Sequence, residues 1–231
     1  MKRSIEVCSD KVNVKRRAVR ANNKVIRSLQ SVERKFFDQE LNAVASSSTG
    51  VFTSLLGGLA ASGDGVARGT GPSERIGTLI FISDILINLK LLQSARNSSE
   101  NGLMRVMLLC DTQCNGAVPT LAEVLETTGA QDTLAHKNLA NTERFRVLYD
   151  ESFVLAPGAA GGGDSTIVWG ETTKMIKYDE SFKNPIRVTY KTDNSDGEVD
   201  GIITNNIWLV NINQNGATDK IAMKARVRYT G

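Results

Sequence analysis

Residues 221–229 read Ile221-Ala222-Met223-Lys224-Ala225-Arg226-Val227-Arg228-Tyr229. Ile221, Met223, Ala225, Val227 and Tyr229 alternate with Ala222, Lys224, Arg226 and Arg228. A strict period of two marks a strand with one face on a core and the other in solvent. Upstream, Ile202–Ile212 is rich in β-branched residues around Trp208 and ends in Asn213-Gln214-Asn215-Gly216, a turn cluster. The two runs are expected to be neighbouring strands, antiparallel if they pair directly.

The same reading extends towards the N-terminus. Ile186–Tyr190 reads as a strand closed by the turn cluster Asp193-Asn194-Ser195-Asp196-Gly197, and Lys174–Tyr178 as a separate short one. Phe145–Leu155 is interrupted at Asp150-Glu151, so it reads as two short strands or one kinked one. Leu103–Leu109 is an apolar run with one arginine, the pattern of a central strand. Leu79, Phe81, Ile85, Ile87, Leu89 and Leu91 mark the odd face of a long strand. Its even face mixes Thr78, Asp84, Asn88 and Lys90 with Ile80, Ile82 and Leu86, and is expected to meet another layer or subunit. Phe36–Ala45 is the first strand of the body. One helix is expected, Leu121–Glu126 behind Pro119-Thr120. Eight or nine strands separated by long polar segments (Ser46–Glu74, Thr112–Thr142, Pro157–Thr173) predict an all-β jelly roll or another two-sheet sandwich.

Composition narrows the function classes. In 231 residues, 41% are apolar, enough to build a core and to exclude a disordered chain. No run of eighteen apolar residues exists, so no membrane insertion is expected. Met1–Asp10 is charged and has no apolar stretch, unlike a secretory signal. Three cysteines (Cys8, Cys110, Cys114) are too few for a disulfide framework and predict free thiols.

The charge is uneven. The chain has 28 Lys and Arg against 25 Asp and Glu. Eleven of the basic residues and three of the acids (Glu6, Asp10, Glu33) lie in residues 1–35, a charge of +8. The remaining 17 basic and 22 acidic residues give the body −5. Lys2, Arg3, Lys11, Lys15, Arg16, Arg17, Arg20, Lys24 and Arg27 are therefore the candidate nucleic-acid-binding residues, on an arm spanning residues 1–34 ahead of a body of 35–231. Because the first aromatic is Phe36, the arm is expected to neutralise phosphates rather than stack on bases. Val19, Val25, Ile26, Leu29 and Val32 recur at helical spacings and would give part of the arm an amphipathic face.

Motifs for catalysis fail. Cys110, Cys114 and the single His136 offer three zinc-type ligands at poor spacing, where a closed site wants four. Gly63-Asp64-Gly65 and Gly69-Thr70-Gly71 lack the strand-to-helix context and Lys-Ser/Thr of a phosphate loop. Asp193–Asp200 lacks the glycine and glutamate positions of a calcium loop. His136 has no nucleophile motif nearby and is expected on the surface. Asp84, Asp111 and Asp150 would need to converge for acid–base work. Arg144 and Asp150 flank one apolar strand and are expected to pair. No enzyme activity, metal or cofactor is expected.

Three stretches carry a resemblance. They are Arg75-Ile76-Gly77 before a long strand; Arg105-Val106-Met107-Leu108-Leu109-Cys110-Asp111-Thr112-Gln113-Cys114-Asn115-Gly116-Ala117-Val118-Pro119; and Asn138-Leu139-Ala140-Asn141 with Arg144-Phe145-Arg146-Val147-Leu148-Tyr149-Asp150. In these the chain resembles the capsid proteins of circular Rep-encoding single-stranded DNA viruses. The likeness spans roughly residues 34–157, with the rest matching only in strand order. It implies a single eight-stranded jelly roll, an inward-facing basic arm and an icosahedral, homo-oligomeric shell of sixty copies. It further implies a single-stranded DNA cargo, with RNA left open, and a virion assembled in the host nucleus; no host receptor is indicated. The arm departs from the pattern: its valines, asparagines and acids make it less arginine-dense than many such arms. The alternative function is a non-catalytic β-sandwich binding module, lectin-like or specific for single-stranded nucleic acid. A cupin-type enzyme ranks below both, since metal-dependent cupins need several histidines.

Overall fold

Two antiparallel sheets account for most of the computed structural model, which describes residues 33–58, 65–93, 102–126, 132–156, 160–161, 168–169, 172–192, 196–214 and 219–231. The strands, in chain order, are β1 (Arg34–Ala45), β2 (Val51–Ser54), β3 (Leu79–Gln93), β4 (Gly102–Asp111), β5 (Phe145–Leu155), β6 (Ala160–Gly161), β7 (Val168–Trp169), β8 (Thr172–Tyr190), β9 (Ile202–Thr204), β10 (Asn206–Asn213) and β11 (Lys220–Thr230). One sheet has the order β1-β11-β3-β8-β9 and the other β2-β10-β4-β5, while β6 and β7 pair with each other. Among the eight principal strands, every step along the chain crosses between sheets except β4 to β5. That alternation is a jelly roll. Residues Arg34–Gly231 form one compact unit, and Arg34 already pairs with Thr230. No helix among the described residues is long and apolar enough to cross a membrane.

Side-chain parity divides two cores. On β4, Met104, Val106, Leu108 and Cys110 face the other sheet and join Ile85, Ile87, Leu89, Val188, Ile207, Val227 and Tyr229. Met107 and Leu109 face the opposite way and pack with Phe52, Trp208, Val210, Leu121, Val124 and Leu125. The second core is covered by α1 (Leu121–Val124), a single turn, and by residues near Ala135. The residues of α1, Leu125 and Ala135 thus form a lid over the four-stranded sheet. That cover explains why β4 and β10 are buried on both faces almost throughout.

Several expectations are corrected. β10 and β11 do not pair: β10 lies between β2 and β4, and β11 between β1 and β3. A run buried on both faces belongs inside the covered sheet, and a run wet on one face belongs in the bare one. Ile202–Ile212 is two strands, broken at Asn205 with φ of 60°. Lys174–Tyr178 and Ile186–Tyr190 are parts of the single strand β8. Their ladder to β3 is interrupted where only Ser83 separates Ile82 from Asp84 while Phe182–Pro185 loop out of register. A proline cannot donate to a ladder, so a bulge is its natural place. β2 lies within a stretch expected to be loop, because four residues are too few to show a period. Phe145–Leu155, by contrast, takes the second of its two expected forms, one irregular strand, with its register shift opposite Leu108/Leu109.

On β3 the expected odd face holds only after the bulge at Ser83. Before it, Ile80 and Ile82 are buried and Phe81 points outward.

Candidate nucleic-acid interface

The four-stranded sheet wears a lid, but the outer face of the five-stranded sheet is exposed and charged. Cross-strand register arranges its side chains in rows over β1, β11, β3 and β8. The first row is Arg34, Thr230, Phe81, Arg187 and the second Phe36, Arg228, Asp84, Ser181. The third is Asp38, Arg226, Leu86, Asp179 and the fourth Glu40, Lys224, Asn88, Lys177, with Lys90 and Lys220 beyond. Eight cations stand against four carboxylates there, on a body that is otherwise acidic.

The carboxylates are occupied. Arg226 donates from Nε to Asp38 Oδ1 and from Nη2 to Oδ2, both at 2.6 Å. Those bonds hold the Asp38 carboxyl below the usual carboxylate range. The Ser181 and Ser83 hydroxyls each donate to Asp84 at 2.6 Å and lower it in the same way. Lys224 lies 3.5 Å from Glu40 and Lys177 4.0 Å from Asp179, exposed pairs of ~0–1 kcal/mol each. Among the described residues, no carboxylate lies within ion-pair distance of Arg34, Lys90, Arg187, Lys220 or Arg228. Sequence reasoning passed over this face because its charges are spread over four strands distant in sequence. The alternation of lysine and arginine along β11 was the signal that could have found it.

The nine arm residues singled out from the sequence (Lys2, Arg3, Lys11, Lys15, Arg16, Arg17, Arg20, Lys24 and Arg27) lie outside the described residues. The acids Asp84, Asp111 and Asp150 do not converge. Asp111 accepts from Arg144, and Asp150 accepts from Arg105 Nε and Nη2 at 2.8 Å each. The expected Arg144–Asp150 pair is therefore replaced by two others. Arg144 lies one residue before β5, beside Asp111 at the end of β4, whereas Asp150 sits mid-strand opposite Met107, within reach of Arg105.

The remaining motif residues build the fold. Gly116 takes φ of 80° in the expected turn. The Thr120 backbone N–H donates to Glu123 Oε2 at 2.7 Å, opening α1. Asn138 Nδ2 donates to Ala122 O at 2.8 Å and Asn141 Nδ2 to Glu123 O at 2.9 Å, satisfying carbonyls that one turn of helix leaves free. Arg75 is buried, lies 4.2 Å from the Tyr190 ring centroid and donates to the carbonyls of Val66 and Gly77. Gly65 and Gly197 approach so closely that a Cβ on Gly65 would collide with Gly197 backbone.

Cys110 and Cys114 are free thiols. Burial pushes Cys110 up to about 11 and Cys114 up to about 12. His136 is exposed, at the rim of a cleft of about 790 Å³ beside Arg105, whose guanidinium is already committed to Asp150 and the Ala135 carbonyl. Among the described residues no three of His, Cys, Asp and Glu form a metal-ligand set.

No family model matches the chain, and no curated protein matches it. Among solved structures it is similar to a chain of Desmodium yellow mottle tymovirus, with 9% identity over 87% of each chain and a TM-score of 0.33. At that identity and TM-score the likeness establishes nothing about what the chain does.

Proposed function

We propose that this chain is a viral capsid protein that assembles with copies of itself into an icosahedral shell around a single-stranded DNA genome. The arm of residues 1–34 faces inward and neutralises phosphates through Lys2, Arg3, Lys11, Lys15, Arg16, Arg17, Arg20, Lys24 and Arg27. The reading is carried by one juxtaposition: an arm with ten basic residues against three acids that leads in sequence into the first strand of a jelly roll. The role is structural, and its place is the virion, with assembly in the host nucleus. The motif residues described above support a building role, since their polar groups are committed to internal bonds.

Electron microscopy of the expressed protein tests the proposal. Closed, uniform particles with a nucleic-acid-like absorbance ratio are expected near neutral pH and moderate salt. A monodisperse 25.1 kDa monomer under those conditions overturns it.

A further inference from the structure

We infer that one end of the exposed sheet face is a stacking platform for single-stranded nucleic acid, distinct from the nine arm residues Lys2–Arg27. Phe36 and Phe81 are 38% and 40% exposed there. They lie on adjacent rows, two strands apart, which strand geometry sets at roughly 12 Å. Arg228 is the cross-strand neighbour of Phe36, and Arg187 that of Phe81. Arg34 shares the row of Phe81.

Exposed rings among guanidiniums with no carboxylate within ion-pair distance (Arg34, Arg187, Arg228) match the composition by which single strands are held: aromatics take bases and cations take the phosphates between them. Phe36 is already faced by a guanidinium, with Arg226 Cζ 4.7 Å from its centroid, so one side of the ring is preorganised. A protein partner would offer carboxylates to the arginines but would gain little from two rings separated by charge. The one carboxylate on these two rows, Asp84, accepts from Ser83 and Ser181 and feels the charges of Arg228 and Arg34, one anion against three cations. The occupant is therefore a polyanion that carries its own π-faces. The inference builds on the genome-packaging reading and adds base contact, which the arm, without aromatics, does not supply.

The test uses the full-length protein with two probes, fluorescein-labelled dT20 and inorganic polyphosphate of matched length. The F36L/F81L variant is expected to bind dT20 about ten- to hundredfold more weakly, as two lost stacks imply, and to bind polyphosphate as before. R34A/R187A/R228A is expected to weaken both probes and to flatten the salt dependence of log affinity by roughly 2. Should the variants lose their fold, photocrosslinking of 5-iodouracil-substituted dT20 to the unaltered protein still decides: adducts on peptides containing Phe36 or Phe81 are expected. Adducts confined to residues 1–33, or folded variants that bind dT20 as the parent does, overturn the inference. So does an arginine variant that changes sedimentation but not dT20 affinity, since the face would then join copies of the chain. Selective loss of dT20 by F36L/F81L in a protein that forms no particles supports the platform while the packaging reading falls.

Discussion

Arg144, one residue before β5, holds Asp111, the last residue of β4, through two parallel hydrogen bonds of 3.0 Å, Nε to Oδ1 and Nη2 to Oδ2. Its Nη1 donates to Glu123 at 2.6 Å, so one guanidinium ties the end of the central strand, the start of the edge strand and the helix of the lid. The Asp111 side chain is 1% exposed. Removing Arg144 would leave that carboxylate buried without its partner. Arg144→Ala is expected to cost ~3 kcal/mol or more, as loss of one member of a buried pair does. Glu123→Gln touches a more exposed member and is expected to cost under ~1 kcal/mol. Urea midpoints at unchanged slope measure both; equal, small effects would show that Arg144 does not anchor the lid.

The bulge at Ser83 makes a second prediction. Ile80 and Ile82 are fully buried, while Phe81 is the outward residue between them. Ile80→Ala and Ile82→Ala are expected to cost ~2–4 kcal/mol each. Phe81→Ser is expected to stay within about 1 kcal/mol, as exposed substitutions do. An uninterrupted odd-face strand would give the reverse order in thermal unfolding.

What was legible in the sequence follows from this contrast. Strands wet on one face, such as β11, announce themselves through their period, and the basic arm through its charge. Strands buried on both faces, β4 and β10, show that they are internal but not which neighbours they take, so β10 was expected beside β11. The break at Asn205 and the bulges at Ser83 and Phe182–Pro185 span one to four residues, too few for a periodic pattern to register. The exposed sheet face is assembled from four strands and exists only after register is set. The ion pairs of Arg144 and Arg105 are long-range choices between carboxylates of equal merit in sequence.

Acid stability provides a third test. Hydrogen bonds from Ser181 and Ser83 lower Asp84, those from Arg226 lower Asp38, and the Thr120 N–H and Arg144 lower Glu123. A carboxyl depressed in the folded state stabilises it above the unfolded value, ~4 for Asp and Glu, and that stabilisation fades as pH falls through the lower folded value. Asp84→Asn is therefore expected to lower the unfolding midpoint at pH 7 and to converge on the parent protein as pH approaches 2. A difference that persists unchanged to pH 2 would mean that ionisation of Asp84 is irrelevant.

The thiols are expected to be inert in the folded protein. Attack requires thiolate, and burial holds Cys110 at about 11 and Cys114 at about 12. Iodoacetamide at pH 8 should leave both unmodified by peptide mass spectrometry and label both in urea. Non-reducing gels of fresh protein should show no stoichiometric crosslink through Cys8, Cys110 or Cys114. Rapid native labelling of Cys110 would contradict its placement between the sheets.

The arm prediction separates packaging from folding. Neutralising about eight phosphates gives the arm a share of −0.7 × 8, roughly −6, in the slope of log affinity against log salt. Deleting residues 1–30 removes nine of the eleven basic residues of the N-terminal stretch but stops short of Arg34, where β1 begins pairing with β11. The truncated chain is therefore expected to keep its thermal midpoint, because every described strand pairing of the jelly roll lies within residues 34–231. It should lose most encapsidated nucleic acid, with its 260-to-280 nm absorbance ratio falling towards that of plain protein. The weak binding that remains should be the part sensitive to Phe36 and Phe81. Truncated particles carrying as much nucleic acid as the parent would show that the arm does not package. Folded subunits that no longer assemble would instead assign the apolar positions Val19, Val25, Ile26, Leu29 and Val32 to a brace between subunits, because charge removal alone does not abolish contacts between bodies.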